Sequence, residues 1–379
     1  MGIDHVCPVA GALSVKIIYF IDHLRPDGTQ FVLTNLVKGL AERGHHQSVV
    51  CLNNSWDDVI LQRLREGGAQ VRIVGKVSLV TGIGIFRTWW WLRQERFDVA
   101  VTMLFISDVI GRSLAYCAQV SHVISSIRAR NINYKLWQRW LLRQTMHWAD
   151  VVVLNSDFVR EFAIKEEGVK PEQIRVIPNG VNVEDYKNPI DRLSFCNQLS
   201  ILTDEFIIGS VGRLTYQKGY DILIKAFASI KRRDIHLVLV GEGEEEISLR
   251  RESAILGVDR NVHFLGFRRD VKYLFGAFDI YIQPSRWEGM PNSLIEAMAA
   301  GCPIIATDVD GNRELVEDGV HGWLTSAEDP DALANDIKAV INDPSQAQLR
   351  ASAAQYRVNK HFQIESTINA WEKALMQKI

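Results

Sequence analysis

The chain predicts an α/β protein made of two doubly wound parallel-sheet domains, and three observations carry that expectation. Short apolar runs of strand length alternate with longer helix-forming stretches from Val15 onward, which is the pattern of a parallel sheet covered by helices on both faces. A length of 379 residues is enough for two separate cores. The composition, 47% hydrophobic and 23% charged with a net charge of −2, is that of a globular protein and argues against a nucleic-acid partner, which would demand a basic excess. The five cysteines, Cys7, Cys51, Cys117, Cys196 and Cys302, are odd in number and lack CxxC spacing, so they fit a reducing compartment better than disulfides or zinc. Residues 1–14 show no basic n-region, and the uncharged run Ser113–Ile127 is too short and polar to span a bilayer. A cytoplasmic location is expected.

Taken in order, VKIIYFI (Val15–Ile21) has the character of a buried strand. The loop LRPDGT follows, then a helix from about Gln30 to Arg43 stopped by Gly44, then the strand His46–Leu52. Further strand-like runs are Gln70–Val74, Asp98–Met103, His122–Ser126 and Val151–Leu154. TGIGIF around Gly82 lacks the third glycine and the leading strand of a dinucleotide fingerprint. Between Glu184 and Asp204 the pattern loosens, which places the domain boundary there: residues 1–188 form the first domain and 200–360 the second. The second domain opens with the strand Phe206–Val211 and the loop GRLTYQKG, followed by a helix over Tyr220–Arg232 and the strand Ile235–Val240. After GEGEEE and the strand His263–Leu265 comes an apolar run closed by Tyr281 and Ile282 and ended by Pro284. A polar turn with Glu288 and Gly289 leads into a helix over Asn292–Ala300, stopped by Gly301, and the buried strand Cys302–Thr307. Three helices complete the chain, over Ala332–Asn342, Ser345–Lys360 and Ile364–Lys378.

The spacing Glu288-x7-Glu296, with Gly289, Pro291 and AMAAG-P behind it, resembles the signature of the family-4 retaining glycosyltransferases of the GT-B fold. The resemblance implies two Rossmann-like domains facing a cleft, the second holding a nucleotide-sugar donor and the first the acceptor, with the last helix (362–379) packed back on the first domain. It implies that Glu288 orients the donor sugar and Glu296 the ribose. Gly289, Met290, Pro291, Asn292, Ser293 and Leu294 would then bind the donor through the loop and helix start, where backbone N–H groups attract phosphate. Ser293-x-x-Glu296 also fits a capping box, and Glu288 also fits a solvated loop. Arg213 and Lys218, flanked by Gly212 and Gly219, resemble the family's diphosphate clamp, whose cations stabilise the leaving-group charge in place of a metal. Gly28 matches one glycine of the family's donor-side pair, Arg268 falls where relatives contact the nucleotide base, and IPNGVN (Ile177–Asn182) resembles the hinge entry. Asp308-Val309-Asp310 reads as a loop and not a ligand set, so no cofactor and no metal are expected.

The implied activity is metal-independent, retaining transfer of a hexose or N-acetylhexosamine from a nucleotide sugar to a glycan acceptor. That acceptor would be lipid-linked in cell-surface polysaccharide assembly. A nucleotide-sugar epimerase of the same fold and a non-catalytic sugar-binding protein are the alternatives. Arg128 stands where many relatives carry a histidine, beside Arg130 and Asn131, and an arginine there suits an acceptor phosphate. Two stretches mix tryptophan with cations: Ile85–Phe97 and Asn133–Trp148. In the second, Trp137, Trp140 and Leu141 share a helical face beside Lys135, Arg139 and Arg143, which suits either burial in the core or contact with a membrane surface. A peripheral position at the inner face of the membrane follows from the second option.

Overall fold

The computed structural model describes residues 14–130 and 134–378; Cys7, Asn131 and Asn133 lie outside them. The chain divides into two compact units, one comprising the residues through Pro178 together with Glu365–Ile379, the other Asn179–Ile364.

In the first unit the strands are β1 (Lys16–Ile21), β2 (His46–Cys51), β3 (Gln70–Ile73), β4 (Val99–Met103), β5 (His122–Ile127), β6 (Val151–Leu154) and β7 (Ile174–Val176). They pair in parallel in the order β3-β2-β1-β4-β5-β6-β7. The central strands are mostly apolar and, apart from Lys16 at the start of β1, buried, as a sheet covered on both faces requires. The helix Ile364–Leu375 returns to this unit: Ile368 packs at Gly39, Arg43 and His45 bind Glu372, and Lys378 pairs with Asp150.

In the second unit the strands are β8 (Phe206–Val211), β9 (Ile235–Val240), β10 (Val262–Phe264), β11 (Ile280–Gln283), β12 (Ile304–Thr307) and β13 (Trp323–Thr325), paired in parallel in the order β10-β9-β8-β11-β12-β13. The unit begins ahead of the composition break, because Val181, Val183, Phe195 and Cys196 already belong to its core. Strands β7 and β13, three residues each, are too short to display a sequence period.

Each sheet reverses its direction of winding at its first strand, between β1 and β4 and between β8 and β11. In open α/β sheets ligands bind outside the carboxyl ends of the strands at such a reversal. The loop carrying Arg213 and Lys218 follows β8, and the loop carrying Glu288 follows β11. Both therefore flank the reversal of the second sheet.

Candidate active site

Lys218 ends a single 3-10 turn, Tyr216–Lys218, and Gly219 follows with φ +66°. A Cβ on Gly219 would lie 2.1 Å from the Pro284 carbonyl oxygen, so glycine is needed both for the left-handed backbone and for the close approach of the two loops. The loops are also sewn together. The Arg286 amide donates to the Gln217 carbonyl at 2.8 Å, and Gln217 Nε2 donates to the Trp287 carbonyl at 3.0 Å. The Arg286 guanidinium grips Asp221 at 2.9 and 2.8 Å, and this pairing holds its pKa well above the usual arginine value. With the loops fixed, Lys218 Nζ lies 2.5 Å from Glu288 Oε1.

Glu288 is oriented from beneath as well. Gln283 Nε2 donates to its Oε1 at 2.9 Å and Ser285 Oγ at 2.6 Å. Gln283 Oε1 in turn accepts from the Tyr281 hydroxyl at 2.5 Å and from Ser293 Oγ at 3.1 Å. Burial pushes the Tyr281 hydroxyl far above its ordinary pKa, so it remains a donor. All these contacts converge on Oε1, and no hydrogen bond among the described residues reaches Oε2. The side chain is only 6% exposed, so the solvated-loop alternative for Glu288 does not hold. The loop holds one carboxylate oxygen in place and leaves the other to accept hydrogen bonds.

The helix after this loop spans Asn292–Ala299, with Pro291 at the N-cap and no side-chain cap. The capping-box alternative is therefore corrected: Ser293 lies inside the first turn, and its hydroxyl reaches back to Gln283. An uncapped first turn leaves backbone N–H groups available to an anion. Met290 and Leu294 have their side chains in the core, so those positions can meet a ligand only through the backbone. Asn179 pins this turn, its Nδ2 donating to the Met290 carbonyl at 3.2 Å and to Asn292 Oδ1 at 2.6 Å. A Cβ on Gly311 would lie 2.4 Å from the Gly289 carbonyl oxygen, so the loop after β12 packs directly on the Glu288–Gly289 turn. Glu296, half-buried on the same helix, lies near the Tyr186 hydroxyl, which burial and this carboxylate push far above its ordinary range.

The remaining predicted residues are placed less closely. Arg213 is exposed on the loop after β8. Arg268 is half-buried and its guanidinium grips Asp270 at 2.8 and 2.6 Å, so a nucleotide base would have to share it or displace the carboxylate. Asp308 is engaged by Arg313 at 2.9 Å, and among the described residues no group of three or more metal-ligating side chains comes together. In the first unit, Gly28 opens a helix, Gly28–Ala41, which begins earlier than its hydrophobic pattern. Its amide donates to the Asp27 carboxylate at 2.8 Å. Arg128 is half-buried just after β5, and desolvation draws its guanidinium down to about 10. Sequence does not single out Gln283 and Ser285, although they stand just upstream of Glu288 in QPSRWEG, and it marks Asn179 only as part of the hinge entry.

Two family models match this chain: "Glycosyltransferase Family 4" over residues 26–185 and "Glycosyl transferases group 1" over residues 191–358. The chain is 28% identical to the Escherichia coli UDP-Gal:alpha-D-GlcNAc-diphosphoundecaprenol alpha-1,3-galactosyltransferase, over 66% of this chain and 68% of that protein. It is 25% identical to the Rhizobium meliloti lipopolysaccharide core biosynthesis glycosyltransferase LpsE, over 96% of this chain and 100% of that protein. Other relatives align over only about half to two thirds of their own length. Among solved structures, Anabaena Alr3699/HepE in complex with UDP-glucose superposes with a TM-score of 0.85 at 24% identity, covering 96% of this chain and 100% of that one. The two models together span most of the chain and its two parallel sheets match this architecture, so the chain belongs to the group 1, family-4 glycosyltransferases and has the GT-B fold.

Proposed function

We propose that this glycosyltransferase moves a hexose or N-acetylhexosamine from a uridine-diphosphate sugar to a saccharide carried on a lipid diphosphate, with retention at the anomeric carbon and without a metal ion. The carrying observation is the Lys218–Glu288 pair, clamped at 2.5 Å at the reversal of the second sheet. Lys218 and Arg213 would meet the diphosphate as the bond from sugar C1 to phosphate oxygen breaks, stabilising charge that is largest in the transition state. Glu288 Oε2 would accept hydrogen bonds from donor-sugar hydroxyls, and Glu296 from the ribose. The acceptor hydroxyl oxygen bonds to C1 and its proton passes to the departing diphosphate, so the step balances without a further reagent. Arg128 is assigned to an acceptor phosphate. The donor class is supported by the Anabaena protein, whose structure holds UDP-glucose. The acceptor class is supported by the E. coli relative, whose name specifies a diphosphoundecaprenol-linked sugar.

The test is incubation with a panel of UDP-sugars and a GlcNAc-diphospholipid, with product anomeric configuration read by NMR and excess chelator present. Retained configuration and chelator-resistant turnover are expected. An inverted product overturns the stereochemical assignment. Activity lost to chelator and restored by Mg²⁺ or Mn²⁺ returns Asp308 and Asp310 to the site. Turnover of the nucleotide sugar without any acceptor makes the chain an epimerase or hydrolase.

A further inference from the structure

The first unit carries an apolar face that its own fold does not use. The short helix Lys76–Val80 and the helix Ile83–Glu95 are joined through Gly82. The longer helix turns Gly84, Thr88, Trp91 and Leu92 inward, a stripe at four- and seven-residue spacing. There a Cβ on Gly84 would lie 2.5 Å from Val74, and the Arg72 guanidinium stacks 3.7 Å from the Trp91 ring. Ile83, Phe86 and Trp90 recur on the opposite side at three- and seven-residue spacing. They are 55%, 62% and 51% exposed, and Val77 and Val80 extend the face at 75% and 88%. Large apolar side chains gathered this way mark an interaction surface more than chance exposure.

The charges identify the occupant. Between Lys76 and Gln94 the only charged residues are Lys76, Arg87 and Arg93, all cationic and all exposed. Aromatic side chains interleaved with arginines, on a helix that carries no acidic residue before its final position, fit the headgroup layer of an anionic bilayer. No helix among the described residues is long and apolar enough to cross a membrane, so such contact would be at the surface.

The second aromatic stretch fits less well. On the helix Leu136–Met146, Trp137 and Trp140 are exposed, contrary to burial in the core, so that alternative is corrected. Two of the stretch's three cations are engaged by Glu166, Arg139 pairing with its carboxylate at 2.6 Å and Arg143 donating to its carbonyl at 3.0 Å, whereas Arg93 on the first face meets the neutral Gln119 side chain at 2.6 Å.

We infer that the outward face of Lys76–Gln94 is a docking surface for anionic lipid, with Phe86 and Trp90 entering the interface and Lys76, Arg87 and Arg93 meeting phosphate headgroups. The test compares wild type with the double variant Phe86→Ser/Trp90→Ser, changed only at exposed positions, and with Trp137→Ser/Trp140→Ser. Flotation uses phosphatidylcholine vesicles with and without phosphatidylglycerol. Wild type should float with the anionic vesicles at low salt and far less with neutral ones. Phe86→Ser/Trp90→Ser should lower partitioning by about tenfold or more, whereas Trp137→Ser/Trp140→Ser should change it less. Equal flotation of wild type and Phe86→Ser/Trp90→Ser overturns the assignment. So does a wild-type dimer in sedimentation that this variant dissociates, because the face would then be covered by a second copy. UDP-sugar binding by thermal shift, run on the same variants, keeps this inference apart from the proposed function: loss of either result leaves the other standing.

Discussion

Two enclosed ion pairs, one in each unit, have nearly the same chemistry and different uses. Arg112 and Asp108 lie one turn apart on the helix Phe105–Ala118, 3.1 Å from each other, with side chains 0% and 7% exposed. Arg112 donates to Ser125 at 2.5 and 3.1 Å and to Thr145 at 3.3 Å, while Asp108 accepts from Thr102 and Ser125, both at 2.6 Å. Lys218 and Glu288 come from loops 70 residues apart and stand at the carboxyl ends of β8 and β11. Among the described residues the hydrogen bonds gather on one carboxylate oxygen in both pairs, Asp108 Oδ1 and Glu288 Oε1. The first pair lies within one helix against the sheet and serves packing; the second stands in two loops beyond the strand ends, at the reversal of the sheet, and is suited to a ligand. Burial alone does not mark a site, and what separates these pairs is where the fold places them, inside a helix or in loops at the carboxyl ends of the strands.

The sharpest way to break this comparison is to remove one partner of each pair. Lys218→Met should lower turnover by about a hundredfold or more, the scale of losing one preformed donor to a developing charge, with little change in the thermal midpoint. If turnover per folded molecule is unchanged, Lys218 belongs with Arg112 as packing. Arg112→Met should do the reverse, costing about 3–5 kcal/mol in denaturant unfolding by stranding the Asp108 carboxylate, with turnover per folded molecule preserved. A stable Arg112→Met protein would show that this pair does not serve packing.

Gly219→Ala probes the loop that delivers Lys218. Its φ of +66° and the 2.1 Å approach of Pro284 should make alanine cost about 1–3 kcal/mol and also weaken uridine diphosphate binding, read by calorimetry. Lost stability with unchanged binding would separate the turn from the site.

Sequence made the second unit far more legible than the first, and the reason is physical. Glu288, Lys218 and Gly219 stand in loops where glycine and charge break an apolar pattern, so they announce themselves. Arg112, Asp108 and Ser125 sit inside a helix and a strand, where a polar residue looks like a solvent-facing one until its neighbours are known. The same limit hid Gln283, which ends a strand. It also left the exposure of Trp137 open, since a helical period shows that one face is apolar but not which neighbour covers it.

The smallest predicted effect concerns acid stability of the first unit. Burial raises the Asp150 carboxyl, but hydrogen bonds from His122, Lys378 and the Val123 amide outweigh that and hold it at about 2. The folded carboxyl therefore binds protons less readily than the unfolded one. Its stabilisation is fully present above about pH 4 and is lost as pH falls toward 2. Lys378→Ala should flatten the acid limb of the unfolding midpoint slightly; an identical acid limb in both proteins would remove Asp150 from the account.

The docking of the helix Ile364–Leu375 on Gly39, Arg43 and His45 sets an order of events during synthesis. The first unit includes a segment encoded after the whole of Asn179–Ile364, so a nascent chain must carry an incomplete first unit while the second is translated. At about 5–20 residues per second that interval is roughly 10–40 s. Throughout it the Gly39 face of the helix Gly28–Ala41 is without the Ile368 side chain that later covers it, so this seam closes only after the second unit has been made.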